Sequence, residues 1–238
     1  MIESKNNEQI KYLKKLGQKK YRDEFGEFLI FGEHLIEEAE KHGEIVNIYT
    51  TNNKKKGLLI TKQLMNEISF TETPFERVAV VKKINNTFTS NKVLVLEDIQ
   101  DPNNVGALLR SAAAFGFKKV IVSNKTADIY NEKVIRASQG SIFHLEIERT
   151  NVYDAIMALK KQEYSIIIAD INQESNLIYN DKIVLVLGNE GSGISDEVKR
   201  LADTFVTIKT ETVESLNVSV AGSILMYEWS IRWKLLDI

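Results

Sequence analysis

The 238-residue chain predicts an α/β fold with a mainly parallel sheet, and three observations carry that expectation. Short β-branched runs alternate with helical stretches along most of the sequence. In the second half those runs are continuously apolar, as strands buried on both faces require. No internal repeat or low-complexity tract interrupts the order. At 43% apolar residues the chain can bury a real core, and two prolines and twelve glycines argue against a disordered or fibrous protein.

The first part reads as a small α/β unit, with strands expected at residues 28–31, 45–49, 58–60 and 77–82. A helix over 32–42 would end at Gly43, and Thr61 would cap another running to about residue 68. The polar stretch 85–91 has loop composition. It divides the chain into a domain at 1–85, a linker at 86–91 and a second domain at 92–238. There the expected strands are 93–96, 120–122, 142–146, 165–169, 183–187 and 205–208. Helices fit 104–115, 131–137, 152–161, 196–201 and 218–236. The last of these carries Tyr227, Trp229 and Trp233, which would put aromatic surface at a core or subunit boundary.

The absence of cysteine excludes disulfides, thiolate catalysis and cysteine-ligated zinc, and fits a reducing compartment. The start Met1-Ile2-Glu3-Ser4-Lys5 has no signal-peptide core, and no later run approaches a membrane-spanning length, so a soluble cytoplasmic protein is expected. His34, His42 and His144 show no ligand spacing, and no metal is expected.

The net charge is −2, but its distribution is uneven. Residues 1–22 carry seven Lys/Arg against two Glu, and residues 23–50 carry eight acids and one Lys. Lys11, Lys15, Lys19 and Arg22 recur every three or four residues, so one helix would line them along a face, with Ile10, Leu13 and Leu16 on a neighbouring one. Such a stripe can track phosphates, although charge alone favours a solvated helix face.

Three stretches carry chemistry. In the first, 96–111, a buried strand ends in a polar turn and a helix begins near Asn104, with Arg110 six residues on. Ligands of α/β proteins sit at such strand ends. Spacing alone also fits an ordinary turn with Asn as cap and Arg as surface cation. In the second, Leu187-Gly188-Asn189-Glu190-Gly191-Ser192-Gly193 follows a buried strand. Its glycines let backbone approach a ligand, but it is neither a P-loop nor a Rossmann turn. An acid between glycines has no packing role. In the third, Ser215-Leu216-Asn217-Val218-Ser219-Val220-Ala221-Gly222-Ser223 precedes the last helix. A helix cap explains one of its polar residues, not three, and its small residues would admit a neighbouring backbone.

Together these stretches resemble the SpoU/TrmH family of RNA ribose methyltransferases in the SPOUT superfamily. The family's D-P-x-N-x-G with a following Arg stands as Asp101, Pro102, Asn104, Gly106 and Arg110; G-x-E-x-x-G stands as Gly188, Glu190 and Gly193; and S-L-N-V-S-V-A runs from Ser215 to Ala221. The resemblance covers about residues 90–238. Residues 1–85 resemble, more weakly, the family's small α/β substrate-binding domain, similar to ribosomal proteins that bind kinked RNA. Phe31 and Lys209 depart from the usual pattern, where an acid and a proline are common.

The resemblance implies a deep C-terminal trefoil knot and S-adenosylmethionine bound against backbone around Gly188, Ile208 and Leu216, with Leu187, Asn189, Gly191 and Asn217 in the same site. It implies a homodimer through the final helix and methylation of a ribose 2′-hydroxyl in structured RNA, with rRNA favoured over tRNA by analogy of the extra domain. Asn104, Arg110, Glu190, Ser215 and Asn217 would form the catalytic set. Arg110 holds its proton too tightly to act as a base, so it would stabilise the developing alkoxide. Glu190 would orient Arg110 or favour the cofactor's cation, while Asn104, Ser215 and Asn217 fix ribose and cofactor. The rivals are a catalytically inactive RNA-binding protein of the same fold and a base-nitrogen methyltransferase.

Overall fold

The computed structural model describes residues 1–69, 74–171, 173 and 180–236, with side chains in the final helix described to residue 231. Helices α1 (Glu8–Leu16) and α2 (Lys19–Phe25) lead into strand β1 (Glu27–Phe31) and helix α3 (Glu33–His42). Strands β2 (Ile45–Thr50) and β3 (Leu58–Leu59), helix α4 (Lys62–Ile68) and strand β4 (Arg77–Lys82) follow. These strands form one sheet in the order β1-β4-β2-β3, with β4 antiparallel to both neighbours. Thr61 caps α4 by accepting from the Leu64 amide.

The rest of the chain winds around a second sheet. Its elements are β5 (Lys92–Leu96), α5 (Pro102–Phe115), β6 (Lys119–Val122), α6 (Glu132–Ser138), a 3-10 turn (Ser141–His144), β7 (Glu146–Arg149) and α7 (Val152–Lys160). Then come β8 (Ser165–Ala169), β9 (Ile183–Leu187), α8 (Asp196–Lys199), β10 (Thr204–Val206) and α9 (Val218–Leu236). All six strands pair in parallel, in the order β10-β8-β9-β5-β6-β7. Alternation across the pleat explains the unbroken apolar runs: Leu94 and Leu96 of β5 face the α5, α6 and α9 side, Val93 and Val95 face α7 and α8, and all four are fully buried. No helix among the described residues is long and apolar enough to cross a membrane.

The structure corrects several expectations. The strand expected at 142–146 is a 3-10 turn, and β7 starts later, at Glu146. Gln139 and Gly140 are both left-handed, which turns the chain and sends Ile142 and Phe143 into a core shared with the first sheet. Strand β10 ends at Val206, two residues early, because Thr207 and Ile208 turn away to line a cavity. Gly43 closes α3 with extended, not left-handed, backbone; glycine is needed because a Cβ would sit 2.9 Å from Phe143 Cε1.

The basic N-terminus is not one helix. Gly17 and Gln18 break it into α1 and α2, so the expected stripe is not continuous. Ile10, Leu13 and Leu16 are buried as periodicity requires. Arg22, however, turns inward: it is 6% exposed, donates to the Leu16 carbonyl and pairs with Asp128 of the second half at 2.6 Å. Lys11 pairs with Glu8 and Lys19 with Asp23, while Lys15 lies over the Tyr21 ring.

Arg22 is one part of a packed junction between the two halves. Phe28, Leu35, Ile36 and Ala39 share a buried cluster with Ile135, Ile142 and Phe143. Tyr130 packs at a tilt against Phe28, 4.7 Å between ring centroids, and hydrogen-bonds the backbone of Ile84. Burial there pushes its phenol pKa up to about 12. The same packing brings together residues whose spacing showed no relation. The rings of His42 and His144 lie 4.4 Å apart, and His144 Nε2 is 3.2 Å from Glu38 Oε2.

Removing one partner of a buried ion pair strands the other, at a cost of about 3–5 kcal/mol. We therefore expect Arg22→Ala to lower stability to urea by about that much. Lys15→Ala, on the exposed side, should stay within about 0.5 kcal/mol. Equal midpoints for the two variants would place Arg22 among ordinary surface cations.

Candidate functional site

Strands β5 and β9 are paired in register, Leu96 against Leu187, so their carboxyl ends leave the sheet side by side. The turn after β5 is held in an unusual shape. Asp98 has a φ of 58°, a left-handed conformation that Asp tolerates better than most residues. Its amide donates to Ser123 Oγ at 2.9 Å, and that hydroxyl donates back to Asp98 Oδ1 at 2.7 Å. Helix α5 then starts at Pro102, two residues earlier than expected. Asp101 is its cap, accepting from the Asn103 amide, so Asn104 is not the cap and its side chain is free for another role.

The glycine-rich loop after β9 is a built object. Asn189 and Gly193 exchange two backbone hydrogen bonds at 3.0 Å, and Asn189 Oδ1 accepts from the amides of Gly191 and Ser192. Gly188 has no room for a side chain, since a Cβ would stand 2.4 Å from Ile194 Cγ1 and 2.6 Å from the Gly193 carbonyl carbon. Two ties fasten the loop to the end of β5. Asn189 Nδ2 donates to the Asp98 carbonyl at 2.8 Å. The buried Glu97 carboxylate accepts from both the amide and the hydroxyl of Ser195, at 3.0 and 2.7 Å.

The third stretch arrives with α9. Asn217 caps this helix, its Oδ1 accepting from Ser219 and Val220, and that accounts for one of the three polar residues. Its amide nitrogen does something further. It donates to Asn104 Oδ1 at 3.1 Å, and Asn104 Nδ2 donates in turn to Glu190 Oε1 at 2.8 Å. One chain of hydrogen bonds thus joins residues from all three stretches. Gly222 lets α9 lie close: a Cβ there would meet Leu108 and Leu187 at 2.5 Å.

These elements enclose a cavity of about 430 Å³ at the ends of β8, β9 and β10. The volume is in the range of small-molecule sites, roughly 300–1,000 Å³. Leu187, Gly188, Asn189 and Gly191 line it on one side, and Ile208, Leu216 and Asn217 on another. Glu190 and Ser215 also reach it. Asn104 does not line the cavity but touches it through Glu190 and Asn217. Arg110 does not line it either; it is exposed on α5 and pairs with none of the described residues. Glu190 therefore takes Asn104, and not Arg110, as its partner. Sequence reasoning missed Asp170 and Lys199, which form a 2.8 Å ion pair on the cavity wall. The position of Asp170 just past β8 was the available signal, since ligands gather at parallel strand ends.

Residues 91–227 match the SpoU rRNA Methylase family, and residues 7–79 match the MRM3-like substrate binding domain. The 23S rRNA (guanosine(2553)-2'-O)-methyltransferase RlmP of Bacillus subtilis is 32% identical over 241 residues, covering 95% of this chain and 97% of its own. An uncharacterized tRNA/rRNA methyltransferase of Borreliella burgdorferi is 39% identical over 152 residues, covering 62% and 65%. Among solved structures, an RNA 2'-O ribose methyltransferase superposes with a TM-score of 0.81 at 25% identity, covering 98% and 99%. The SpoU methyltransferase AviRb of Streptomyces viridochromogenes, in complex with AdoMet, shares the fold with a TM-score of 0.83 at 24% identity, covering 97% and 99%. The family match spans more than half of the sequence and contains every strand that borders the cavity: this chain belongs to the SpoU rRNA methylase family.

Proposed function

We propose that the protein methylates a ribose 2′-hydroxyl of ribosomal RNA with S-adenosylmethionine as methyl donor. The observation that carries this reading is the hydrogen-bonded chain Glu190–Asn104–Asn217 standing over the glycine-walled cavity. The cavity fits the donor by its chemistry. Leu187, Ile208 and Leu216 supply apolar walls for a ring, the close backbone at Gly188 admits a flat group, and the Glu190 carboxylate complements a cation. When bound, S-adenosylmethionine supplies an electrophilic methyl group on a sulfonium. The protein's residues then have three tasks. Asn104 and Asn217, locked by their mutual bond, orient the ribose; Ser215 at the cavity mouth offers it a hydroxyl. The rigid loop 188–193 excludes water from the transfer line. Arg110 does not line the cavity of its own chain. In the dimer that belongs to this reading each site is assembled from both chains, and there Arg110 stabilises negative charge as the hydroxyl oxygen loses its proton, because a guanidinium holds its own proton too tightly to act as the base.

Ribosomal RNA is favoured by the substrate-binding match at residues 7–79 and by the name of the Bacillus relative. The basic residues left exposed on α1 and α2, with Lys15 and Lys20 flanking the Tyr21 ring, suit a phosphate backbone. We further infer a C-terminal trefoil knot, supported by the late strand β9 lying between β8 and β5. A homodimer through α9 also belongs to this reading. Val220, Ile224 and Tyr227 form an exposed stripe at helical spacing, and Phe115 packs edge-on against Tyr227. The expected aromatic trio changes, however: Trp229 is buried in the catalytic core, and the Trp233 side chain lies outside the described residues.

Three outcomes test the reading. Incubated with methyl-labelled S-adenosylmethionine, the protein should place a 2′-O-methyl mark on rRNA and not on tRNA; marks on tRNA alone would reassign the substrate, and none on either would remove the activity. Under single turnover with saturating RNA, Arg110→Lys should slow methyl transfer by at least about 100-fold, because an ammonium lacks the planar two-pronged geometry. A rate within a few-fold of the parent would take Arg110 out of the chemistry. In light scattering, the parent should have twice the chain mass and Ile224→Glu the mass of one chain; a monomeric, active parent would refute the dimer.

A further inference from the structure

The junction between the two halves holds a cluster that the methyl-transfer site does not use. Glu38 and His42 lie one helical turn apart on the same face of α3, and His144 ends the 3-10 turn of the other half, 106 residues from Glu38. One imidazole nitrogen from each histidine and one carboxylate oxygen of Glu38 all lie within 4.8 Å of one another. A tetrahedral zinc ion with bonds of about 2.0–2.1 Å separates its ligand atoms by about 3.3 Å. The His144–Glu38 pair, at 3.2 Å, already has that separation, and side-chain rotation alone can close the rest.

The backbones that carry these groups cannot drift apart. Leu35, Ile36 and Ala39 of α3 share a buried cluster with Ile142 and Phe143 of the turn. Glycine is needed on each side of the contact. A Cβ on Gly43 would press on Phe143, and one on Gly140 would stand 3.0 Å from Glu38 Cγ. The ligand groups are thus held by packing and not merely by surface loops. His144 remains 44% exposed at its side chain, which leaves a coordination position open to water. The competing cation is Lys41, 3.5 Å from Glu38 Oε1, but its side chain is 63% exposed and can swing into solvent.

We propose that Glu38, His42 and His144 form a binding site for a divalent transition metal, zinc by its chemistry, that bridges the N-terminal unit to the methyltransferase unit. Two imidazole nitrogens and one carboxylate oxygen suit Zn²⁺ or Co²⁺, and do not suit the all-oxygen preference of Mg²⁺ or Ca²⁺. Bound metal would hold the substrate-binding unit at a fixed angle to the cavity. The inference rests on the junction geometry and is independent of which RNA is methylated.

The test is calorimetric titration of the chelator-treated full chain with ZnCl₂, and optical titration with CoCl₂. We expect one equivalent to bind, a visible cobalt spectrum of tetrahedral intensity, and a rise in melting temperature with zinc. His144→Ala and His42→Ala should each weaken binding by at least about 10- to 100-fold and abolish the zinc-dependent rise. Both side chains are exposed, so the metal-free melting temperature serves as the folding control, and Glu38→Gln gives a third, conservative variant. Excess MgCl₂ should not compete. No heat at sub-millimolar zinc, or unchanged affinity in both histidine variants, would overturn the proposal.

Discussion

Every part of the site depends on the parallel pairing of β5 with β9. These strands are distant in sequence, yet their register sets Leu96 beside Leu187 and so puts the polar turn after one next to the glycine loop after the other. Parallel strands send all their carboxyl ends to one edge, and that edge is where backbone groups are left without ladder partners. Here they are taken up by Asn189, which spans from its own loop to the Asp98 carbonyl, and by Glu97, which holds both polar groups of Ser195. Slipping the β5–β9 register by one residue would turn every side chain to the opposite face and would pull the two turns apart.

Rigidity at this edge has an identifiable source. Asp98 sits in a left-handed conformation that persists because Ser123 bonds both its amide and its carboxylate. Ser123 is in turn held from behind: Arg149 donates to the carbonyls of Ser123, Thr126 and Ala127 at 2.5 to 2.8 Å. Desolvation in this position lowers the pKa of the Arg149 guanidinium, a measure of how deeply the cation is set among backbone carbonyls. The outer strands β6 and β7 therefore act on the site through a chain of hydrogen bonds, although neither borders the cavity. These groups are thus ordered before any ligand arrives, which lowers the entropic cost of positioning one.

The two halves are bound more closely than a linker suggests. A buried ion pair, a shared apolar cluster and a tilted Tyr130–Phe28 ring pair all cross between them. The connecting segment itself is tied down: Asn86 donates to the Phe143 carbonyl, and the Phe88 amide to Glu146. The first unit, which matches a substrate-binding domain, is thereby fixed relative to the cavity. The basic N-terminus is divided, since α1 and α2 keep several lysines in solvent while Arg22 is given over to the junction.

What the sequence determined by itself was local. Nearly every helix and strand was legible from apolar periodicity and from caps such as Thr61, because these depend on residues a few positions apart. The three stretches around Asn104, Glu190 and Asn217 were legible too, through their resemblance to the family's motifs and, for Glu190, because an acid between glycines has no packing role. What only the tertiary structure decided was how residues far apart are partnered. Periodicity placed Arg22 on a stripe, but Gly17 breaks the helix, and Asp128, far along the chain, supplies a buried partner. The resemblance offers Glu190 either Arg110 or the cofactor's cation as its partner, whereas Asp101 relieves Asn104 of capping and leaves it to meet Glu190. The run at 142–146 looked like a strand, but two left-handed residues and the pull of a shared core made it a turn, and so brought His144 to His42. Sequence patterns record the environment of each residue along its own element; which elements touch is set by burial of whole faces, and that is settled only when the chain is folded.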